Sequence, residues 1–370
     1  MQQDVSWRAQ YPQDDNPGGL IMISRTNAAH AVALALLASF ANSAMAQTEA
    51  QPKCVMQNIA TLTLHDDGLT ISADGKINSD AVPMLIDSGA PNTMVTKAES
   101  IKLGLVTPEA SGTGKKAAAD DRVPLTTFAV GPIAMSDVHI HASQKLSDYP
   151  AFGALVGADL LMQHDMELAL GVHQLKFFNP VGCNDRHIAY WDKNAVMLPM
   201  ATLSATDHRP VVTVEVDGQS LRAMIDTGSP VSVMSLSAAA RAGVTPKSPG
   251  VKPMKSATPG AKSTSWVAPF HQFSIGDEDV KNLKMPILDL KGVVSVAPGT
   301  AVPDMILGED FLRAHHVLFS TSQQSFYLSY VGGSVFNMDV TAHAASAPAA
   351  PAPAASPAMS SPDGTATPKQ

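Results

Sequence analysis

The segment AMIDTGSPVSVM at residues 223–234 places an aspartate, a hydroxyl residue and a glycine directly after an apolar run. Asp and Gly are both disfavoured inside strands, so this order indicates a strand that ends in a tight turn and presents the carboxylate of Asp226 there. An earlier copy, MLIDSGAPNTMV at residues 84–95, places Asp87 at the same position. The chain therefore contains an internal repeat in which each copy ends a strand on an Asp-hydroxyl-Gly turn.

The repeat continues downstream in the same order. TKAESIKLGL and SLSAAARAGV are each predicted to form a short helix, and their glycines, Gly104 and Gly243, both lie 17 residues after the repeated aspartate. A predicted hairpin follows each helix. An apolar-apolar-Gly motif then recurs, as ALVGADLL at 154–161 and MILGEDFL at 305–312. A repeat that keeps its order over this length predicts two related lobes.

The fold prediction is a mainly β chain of two homologous β-barrel lobes related by a pseudo-twofold axis, with few short helices. The 370 residues, 45% of them hydrophobic, suffice for two domains of ordinary size. We place the N-terminal lobe at 47–185, a linker at 186–200 and the C-terminal lobe at 201–335. The segment 341–370 is rich in Ala, Pro and Ser and too poor in bulky apolar residues to form a core, so it is predicted to be disordered.

Residues 1–46 are predicted to be a leader that contains a signal peptide. Arg25 precedes the apolar run AAHAVALALLASF, and small residues precede a cleavage site placed after Ala46. Met22 would make a conventional start for this signal. The apolar run is shorter than the roughly 20 residues that a membrane-spanning helix needs. We therefore expect an exported protein, periplasmic or secreted, with no membrane anchor after cleavage.

Composition argues against one class of partner and suggests one covalent link. The net charge is −8 and no dense block of Lys or Arg is present, so nucleic acid is not expected as a partner. Cys54 and Cys183 are the only cysteines, and an oxidising compartment favours a disulfide between them. The alternative is a pair of buried free thiols.

Two aspartates at equivalent ends of related lobes are expected to meet across the pseudo-twofold axis. Two carboxylates a few ångström apart in a partly desolvated site cannot easily both be ionised, so they share a proton. The ionised member then acts as general base on a water, and the protonated member donates to the carbonyl oxygen under attack. Asp87 and Asp226 are therefore the predicted catalytic residues.

The neighbouring residues have roles under the same hypothesis. Glycine permits a tight turn that brings backbone N–H groups towards the carboxylates. The hydroxyls of Ser88 and Thr227 are expected to hydrogen-bond across to the opposite loop, and the hydroxyl of Ser229 to Asp226. The predicted supporting loops consist of Ser88, Gly89, Ala90, Thr227, Gly228 and Ser229.

These motifs, IDSGA, IDTGS, LVGADLL and ILGEDFL in this order, resemble the aspartic proteases, and more closely the bacterial exported proteins with retropepsin-like lobes. The resemblance covers about 280 residues. It implies that the Asp-hydroxyl-Gly loops hold the catalytic dyad and that the apolar-apolar-Gly segment crosses beneath each loop. It also implies hairpin flaps over the substrate, which we place at 111–121 and 256–266, with Trp266 as a candidate flap aromatic.

The predicted function is that of an exported aspartic endopeptidase that needs no metal or cofactor and cleaves a peptide or flexible protein segment. Both lobes lie in one chain, so a monomer is expected to assemble the dyad. The first alternative is a peptide- or protein-binding module on the same fold without turnover. The second is a glycoside hydrolase with a carboxylate pair. His139 and His141 have the spacing of metal ligands on one strand face, but a solvent-exposed strand edge accounts for them equally well.

Overall fold

The computed structural model describes residues 53–105, 122–143, 151–254 and 264–336. The predicted leader, the first flap, most of the second flap and the C-terminal tail lie outside these residues. The N-terminal half contains β1 (Val55–Asp66), β2 (Ile71–Ile77), β3 (Asp80–Ile86), β4 (Met94–Thr96), α1 (Lys97–Lys102), β5 (Arg122–Val130), β6 (Ile133–Ser143), β7 (Ala154–Val156), α2 (Ala158–Leu161), β8 (Asp165–Ala169) and β9 (Gln174–Val181).

The C-terminal half repeats most of this order. It contains β10 (Val196–Pro199), β11 (Ala201–Ser204), β12 (Asp207–Val216), β13 (Gln219–Ile225), β14 (Val233–Ser235), α3 (Leu236–Arg241), β15 (Lys252–Pro253), β16 (Ser265–Ile275), β17 (Glu278–Leu288), β18 (Met305–Leu307), α4 (Glu309–Leu312), β19 (His315–Ser320) and β20 (Ser325–Tyr330). The described chain is mainly β, as the sequence predicts.

Each half forms a closed ring of six strands. In the first ring the order is β2-β3-β7-β4-β6-β5, and pairing of β2 with β5 closes it. In the second the order is β12-β13-β18-β14-β17-β16, and pairing of β12 with β16 closes it. Corresponding strands thus occupy corresponding places, which confirms the two homologous barrel lobes and their pseudo-twofold relation.

The apolar-apolar-Gly motif supplies the same strand in each barrel. β7 runs parallel to β3 and antiparallel to β4, and β18 runs parallel to β13 and antiparallel to β14. All three residues of each of these strands are buried. Each motif therefore crosses between the strand before the Asp turn and the strand after it, where it can support the turn from below.

The short helices α1 and α3 end at the predicted glycines, and a hydroxyl side chain caps the start of each. Thr96 caps α1, with its hydroxyl oxygen accepting the N–H of Glu99 at 3.0 Å. In the second lobe Ser235 caps α3 in the same way. Gly104 and Gly243 follow the helices with φ of +67° and +78°, a conformation that glycine adopts without steric cost.

A six-stranded antiparallel sheet joins the two barrels, and the sequence analysis did not predict it. Its order is β10-β20-β19-β8-β9-β1, and the junction between the halves is the β8–β19 pair. All five residues of β8 are buried, so this strand lacks the alternation that marks a strand with one exposed face. β10 lies inside the predicted linker 186–200 and forms the edge of this sheet.

One continuous apolar core runs from the first barrel through the joining sheet into the second. Phe128 of the first barrel, Phe273 of the second and Phe319 of the joining sheet are all fully buried members. Among the described residues, no helix is long and apolar enough to cross a membrane.

A disulfide between Cys54 and Cys183 fastens the start of β1 to the chain after β9, which confirms the predicted pairing. The segment after Cys183 then covers one face of the joining sheet, where Ile188 packs in a cluster with Leu318 and Tyr327. The disulfide thus fixes the point from which the chain crosses to the second lobe.

Replacement of both cysteines, Cys54→Ser with Cys183→Ser, is expected to lower the free energy of unfolding by about 2–5 kcal/mol, because the link closes a 129-residue loop in the unfolded chain. Urea unfolding of the oxidised protein and the double variant measures the difference. Reductant should bring the wild-type midpoint to that of the variant and leave the variant unchanged. Equal midpoints for the oxidised protein and the variant would contradict the prediction.

A buried ion cluster also connects the lobes. Arg313 after α4 pairs with Glu309 of its own lobe and with Asp66 of β1. The side chain of Glu309 is fully buried, and its Oε1 has no hydrogen-bond partner among the described residues. One guanidinium cannot fully compensate two buried carboxylates. Burial raises the pKa of Glu309 to about 8, although the charge of Arg313 opposes the rise.

The Glu309→Gln variant is expected to be more stable than the wild type at pH 9, by on the order of 1–3 kcal/mol, and to differ little at pH 5. A carboxyl whose pKa rises on folding, here from 4.5 to about 8, keeps a proton that the unfolded chain has lost, so its contribution to stability falls as pH rises through that window. Urea unfolding from pH 5 to 9 measures this.

The matched control for this measurement is Glu215→Gln on β12, which replaces an exposed carboxylate in the same lobe. Its difference from wild type should stay constant over the same pH range. A Glu309→Gln curve parallel to that of the wild type would show that Glu309 is ionised at both ends of the range, against the prediction.

Candidate active site

In each Asp-hydroxyl-Gly turn, the backbone N–H of the aspartate is hydrogen-bonded to the strand that runs beneath the turn. β3 ends at Ile86, and the N–H of Asp87 then donates to the carbonyl of Val156 at 3.0 Å. In the second lobe the N–H of Asp226 donates to the carbonyl of Leu307 at 2.9 Å. The apolar-apolar-Gly motif therefore lies beneath each turn, as the resemblance implied, and also binds the backbone of each aspartate.

Hydrogen bonds cross between the two turns in both directions. Ser88 N–H donates to Thr227 Oγ1 at 2.9 Å, and Thr227 N–H donates to Ser88 Oγ at 3.1 Å. Each hydroxyl then donates to a carbonyl of the opposite lobe at 2.8 Å, Ser88 to Ile225 and Thr227 to Ile86. All four hydrogen bonds are buried. The two hydroxyls therefore bond across to the opposite loop, as the sequence analysis expected.

The glycines of the turns bring the two aspartates together. Gly89 N–H donates to Asp87 Oδ1 and Gly228 N–H donates to Asp226 Oδ1, both at 2.9 Å. A Cβ added at Gly89 would overlap the carboxyl of Asp226, and one added at Gly228 would overlap that of Asp87. Only glycine therefore allows each turn to lie directly against the carboxyl of the opposite lobe.

The two carboxyl groups interact as a pair. Burial raises the pKa of Asp87 well above its usual value, and the negative charge of Asp226 and a hydrogen bond to it act in the same direction. Burial also raises the pKa of Asp226, but the N–H of Gly228, the hydrogen bond from Asp87 and the charge of Arg209 oppose the rise. Such a pair retains one proton at a pH where isolated aspartates are ionised.

The lobes differ at the residue that directly follows the glycine of each turn. Ala90 is buried against Leu85 and Leu155, whereas the equivalent Ser229 is half-buried. Its hydroxyl donates to the carbonyl of Val231 at 2.9 Å, and not to Asp226 as the sequence analysis expected.

A second layer of hydrogen bonds under each turn was missed at the level of sequence. In lobe one Asp159 accepts from both the N–H and the hydroxyl of Thr93, and this hydroxyl oxygen accepts the N–H of Gly157. In lobe two Asp310 accepts in the same way from Ser232 at 2.8 and 2.6 Å. The sequence did contain a sign of this layer, because an Asp follows two residues after the glycine in both apolar-apolar-Gly motifs.

The other residues singled out in the sequence lie on strands of the two barrels. His139 and His141 lie on β6, where His139 is exposed and His141 half-buried. Trp266 lies on β16 and packs half-buried against the core. Within the described ranges, no three His, Cys, Asp or Glu side chains converge as a metal site would require.

Comparison with known families agrees with this geometry. The model of a family described as aspartyl protease matches residues 73–160 and 212–311, about half of the chain. Each matched segment contains one Asp-hydroxyl-Gly turn and one apolar-apolar-Gly motif. No curated protein matches the chain at a significant level. Its matched segments, paired barrels and facing aspartate turns together show that the chain belongs to the aspartyl protease family.

Proposed function

We propose that this protein is an exported aspartic endopeptidase and that Asp87 and Asp226 are its catalytic dyad. The observation that supports this most directly is the packing of each turn glycine against the carboxyl group of the opposite lobe, which brings the two carboxyl groups together. Membership of the aspartyl protease family supports peptidase activity in general. The role of the two aspartates and the export of the chain are our proposal.

In the proposed reaction the ionised aspartate accepts a proton from water as the water oxygen bonds to the peptide carbonyl carbon. The protonated aspartate donates its proton to the carbonyl oxygen, so that a neutral tetrahedral diol forms. The first aspartate next gives its proton to the departing nitrogen while the C–N bond breaks, and one diol hydroxyl returns a proton to the second. The pair thus ends in its starting state, without a covalent enzyme intermediate.

The proposed substrate is an extended peptide or a flexible segment of a periplasmic or secreted protein. An extended segment can form β-type backbone hydrogen bonds with an exposed strand edge of the protein that binds it. One chain carries both turns, so we propose that the monomer is active. The predicted leader and the Cys54–Cys183 disulfide support an oxidising, exported location.

The Asp87→Asn and Asp226→Asn variants are each expected to lower the rate of peptide cleavage by about 10²–10⁴-fold, because each removes one partner of the proton transfers. Wild-type cleavage is expected to fall at low pH, where both carboxyls are protonated, and at high pH, where the shared proton is lost. Mass spectrometry of a peptide library incubated from pH 3 to 8 measures both effects.

Asp277→Asn, in the exposed turn between β16 and β17, is the control and should cleave like the wild type. Unfolding midpoints show which variants remain folded. Cleavage that persists in either folded dyad variant would refute the dyad. A folded wild type that binds peptides but cuts none would favour the binding module.

Thr227→Val is expected to lower both stability and cleavage, because it leaves the N–H of Ser88 and the carbonyl of Ile86 buried without their partner. The expected cost in the free energy of unfolding is about 1–3 kcal/mol for each unsatisfied group. Thr227→Ser retains the hydroxyl and should recover most of both properties. Urea unfolding and the peptide assay together measure this, and equal behaviour of the two variants would argue against the role of the hydroxyl.

A further inference from the structure

Arg209 lies where the second barrel meets the active-site turn of the first. It belongs to β12 and is 2% exposed. Its Nη1 donates to the carbonyl of Gly89 at 3.3 Å, and its Nη2 donates to the carbonyl of Ser295 at 2.7 Å. Its Nε and Nη2 also bind the two carboxylate oxygens of Asp207 at 2.9 and 2.6 Å. These contacts fix the guanidinium and join it to the opposite lobe.

The contact with Gly89 places the positive charge beside the dyad, and the register of β12 with β13, in which Val211 pairs with Met224, brings Arg209 level with Asp226. Gly89 faces Asp226 so closely that a Cβ would overlap the carboxyl. A nearby cation favours the ionised form of a carboxyl. Burial raises the pKa of Asp226, and the charge of Arg209 is among the influences that oppose this rise. For Asp87, burial and the negative charge of Asp226 both raise the pKa.

The first lobe has no equivalent of this ion pair. Arg209 and Thr70 each lie 17 residues before the aspartate of their lobe, and the strand registers agree with that correspondence. Asp207 corresponds to Gly68 by the same count. Since Thr and Gly carry no charge, neither Arg209 nor Asp207 has a charged counterpart at the corresponding position of the first lobe.

We propose that Arg209 is a positioning residue that holds the shared proton of the dyad on Asp87 and keeps Asp226 as the carboxylate. This inference deepens the proposed function and rests on it. Asp226 is then the base that accepts a proton from water and later passes it to the departing nitrogen. Asp87 is the acid that protonates the carbonyl oxygen and is reprotonated by the diol hydroxyl.

The other charged groups near the guanidinium do not cancel its preference for an ionised Asp226. Asp207 and the neighbouring His208 both belong to β12, and the turn that carries Asp87 approaches from the first lobe at Gly89. Asp207 binds the Nε and Nη2 side of the guanidinium, whereas Nη1 points to the dyad turn at Gly89. The carboxylate that partly cancels the charge is thus bound at the side away from Nη1, and Nη1 faces the dyad turn at Gly89.

The test is an NMR titration of the protein labelled with ¹³C at its aspartate carboxyl carbons. Asp87→Asn and Asp226→Asn identify the two dyad signals by their disappearance. In the wild type, the Asp87 signal is expected to remain that of a protonated carboxyl to higher pH than the Asp226 signal. The opposite order would overturn the proposal, and this measurement requires no further variant to fold.

The double variant Asp207→Asn with Arg209→Met removes the ion pair without leaving a buried carboxylate unpaired. It is expected to increase the ratio of Asp226-protonated to Asp87-protonated molecules about tenfold. Arg209→Lys should keep most of the wild-type ratio. The matched control is Asp304→Asn with Arg241→Met, which removes an ion pair of the same lobe at α3 and should leave both carboxyl titrations unchanged.

A purely structural role for Arg209 would lower the unfolding midpoint of the double variant while its two carboxyls titrated as in the wild type, and that result would overturn the proposal. The titration does not depend on turnover. If the wild type cleaves no peptide but its carboxyls titrate in the expected order, the proton placement is supported and the peptidase function is contradicted.

Discussion

The reciprocal hydrogen bonds between Ser88 and Thr227 are the constraint on which the site depends. Each barrel is closed by its own strand pairing, and neither barrel by itself determines how far its aspartate lies from the other. The four bonds bury groups that would be costly to leave unpaired, so they admit one mutual position of the turns. That position places the carboxyls of Asp87 and Asp226 against each other, as the proposed sharing of a proton requires.

The two lobes have equivalent hydrogen bonds directly beneath the turns, but they differ in the charged residues around them. The layer beneath the turns is duplicated, since Asp159 and Asp310 accept the same pair of hydrogen bonds in their lobes. Outside that layer, Glu309 stands where the first lobe has Ala158, and Arg209 has no charged counterpart. Two unlike surroundings for two identical carboxyls suit a reaction that needs one acid and one base.

The joining sheet and the disulfide also help to fix the relative position of the two turns. β8 and β19 pair directly, so strands of both halves belong to one antiparallel sheet under the barrels. The Cys54–Cys183 link fastens the outer end of this sheet at the point where the chain crosses over. The continuous core shared by both barrels and the sheet makes large relative movement of the lobes costly. A rigid base of this kind helps to keep the two turns in register.

The sequence by itself determined the two lobes, the glycines at which the short helices end and the positions of the two aspartate turns, because the repeat and the apolar runs are local patterns that recur in register. It also indicated the cross-lobe hydroxyls and the disulfide. Only the tertiary structure decided the joining sheet, the direction of the Ser229 hydroxyl and the contact of Arg209 with Gly89. That last contact joins residues 120 positions apart and depends on how two separately closed barrels pack, which no periodicity or spacing in the chain records.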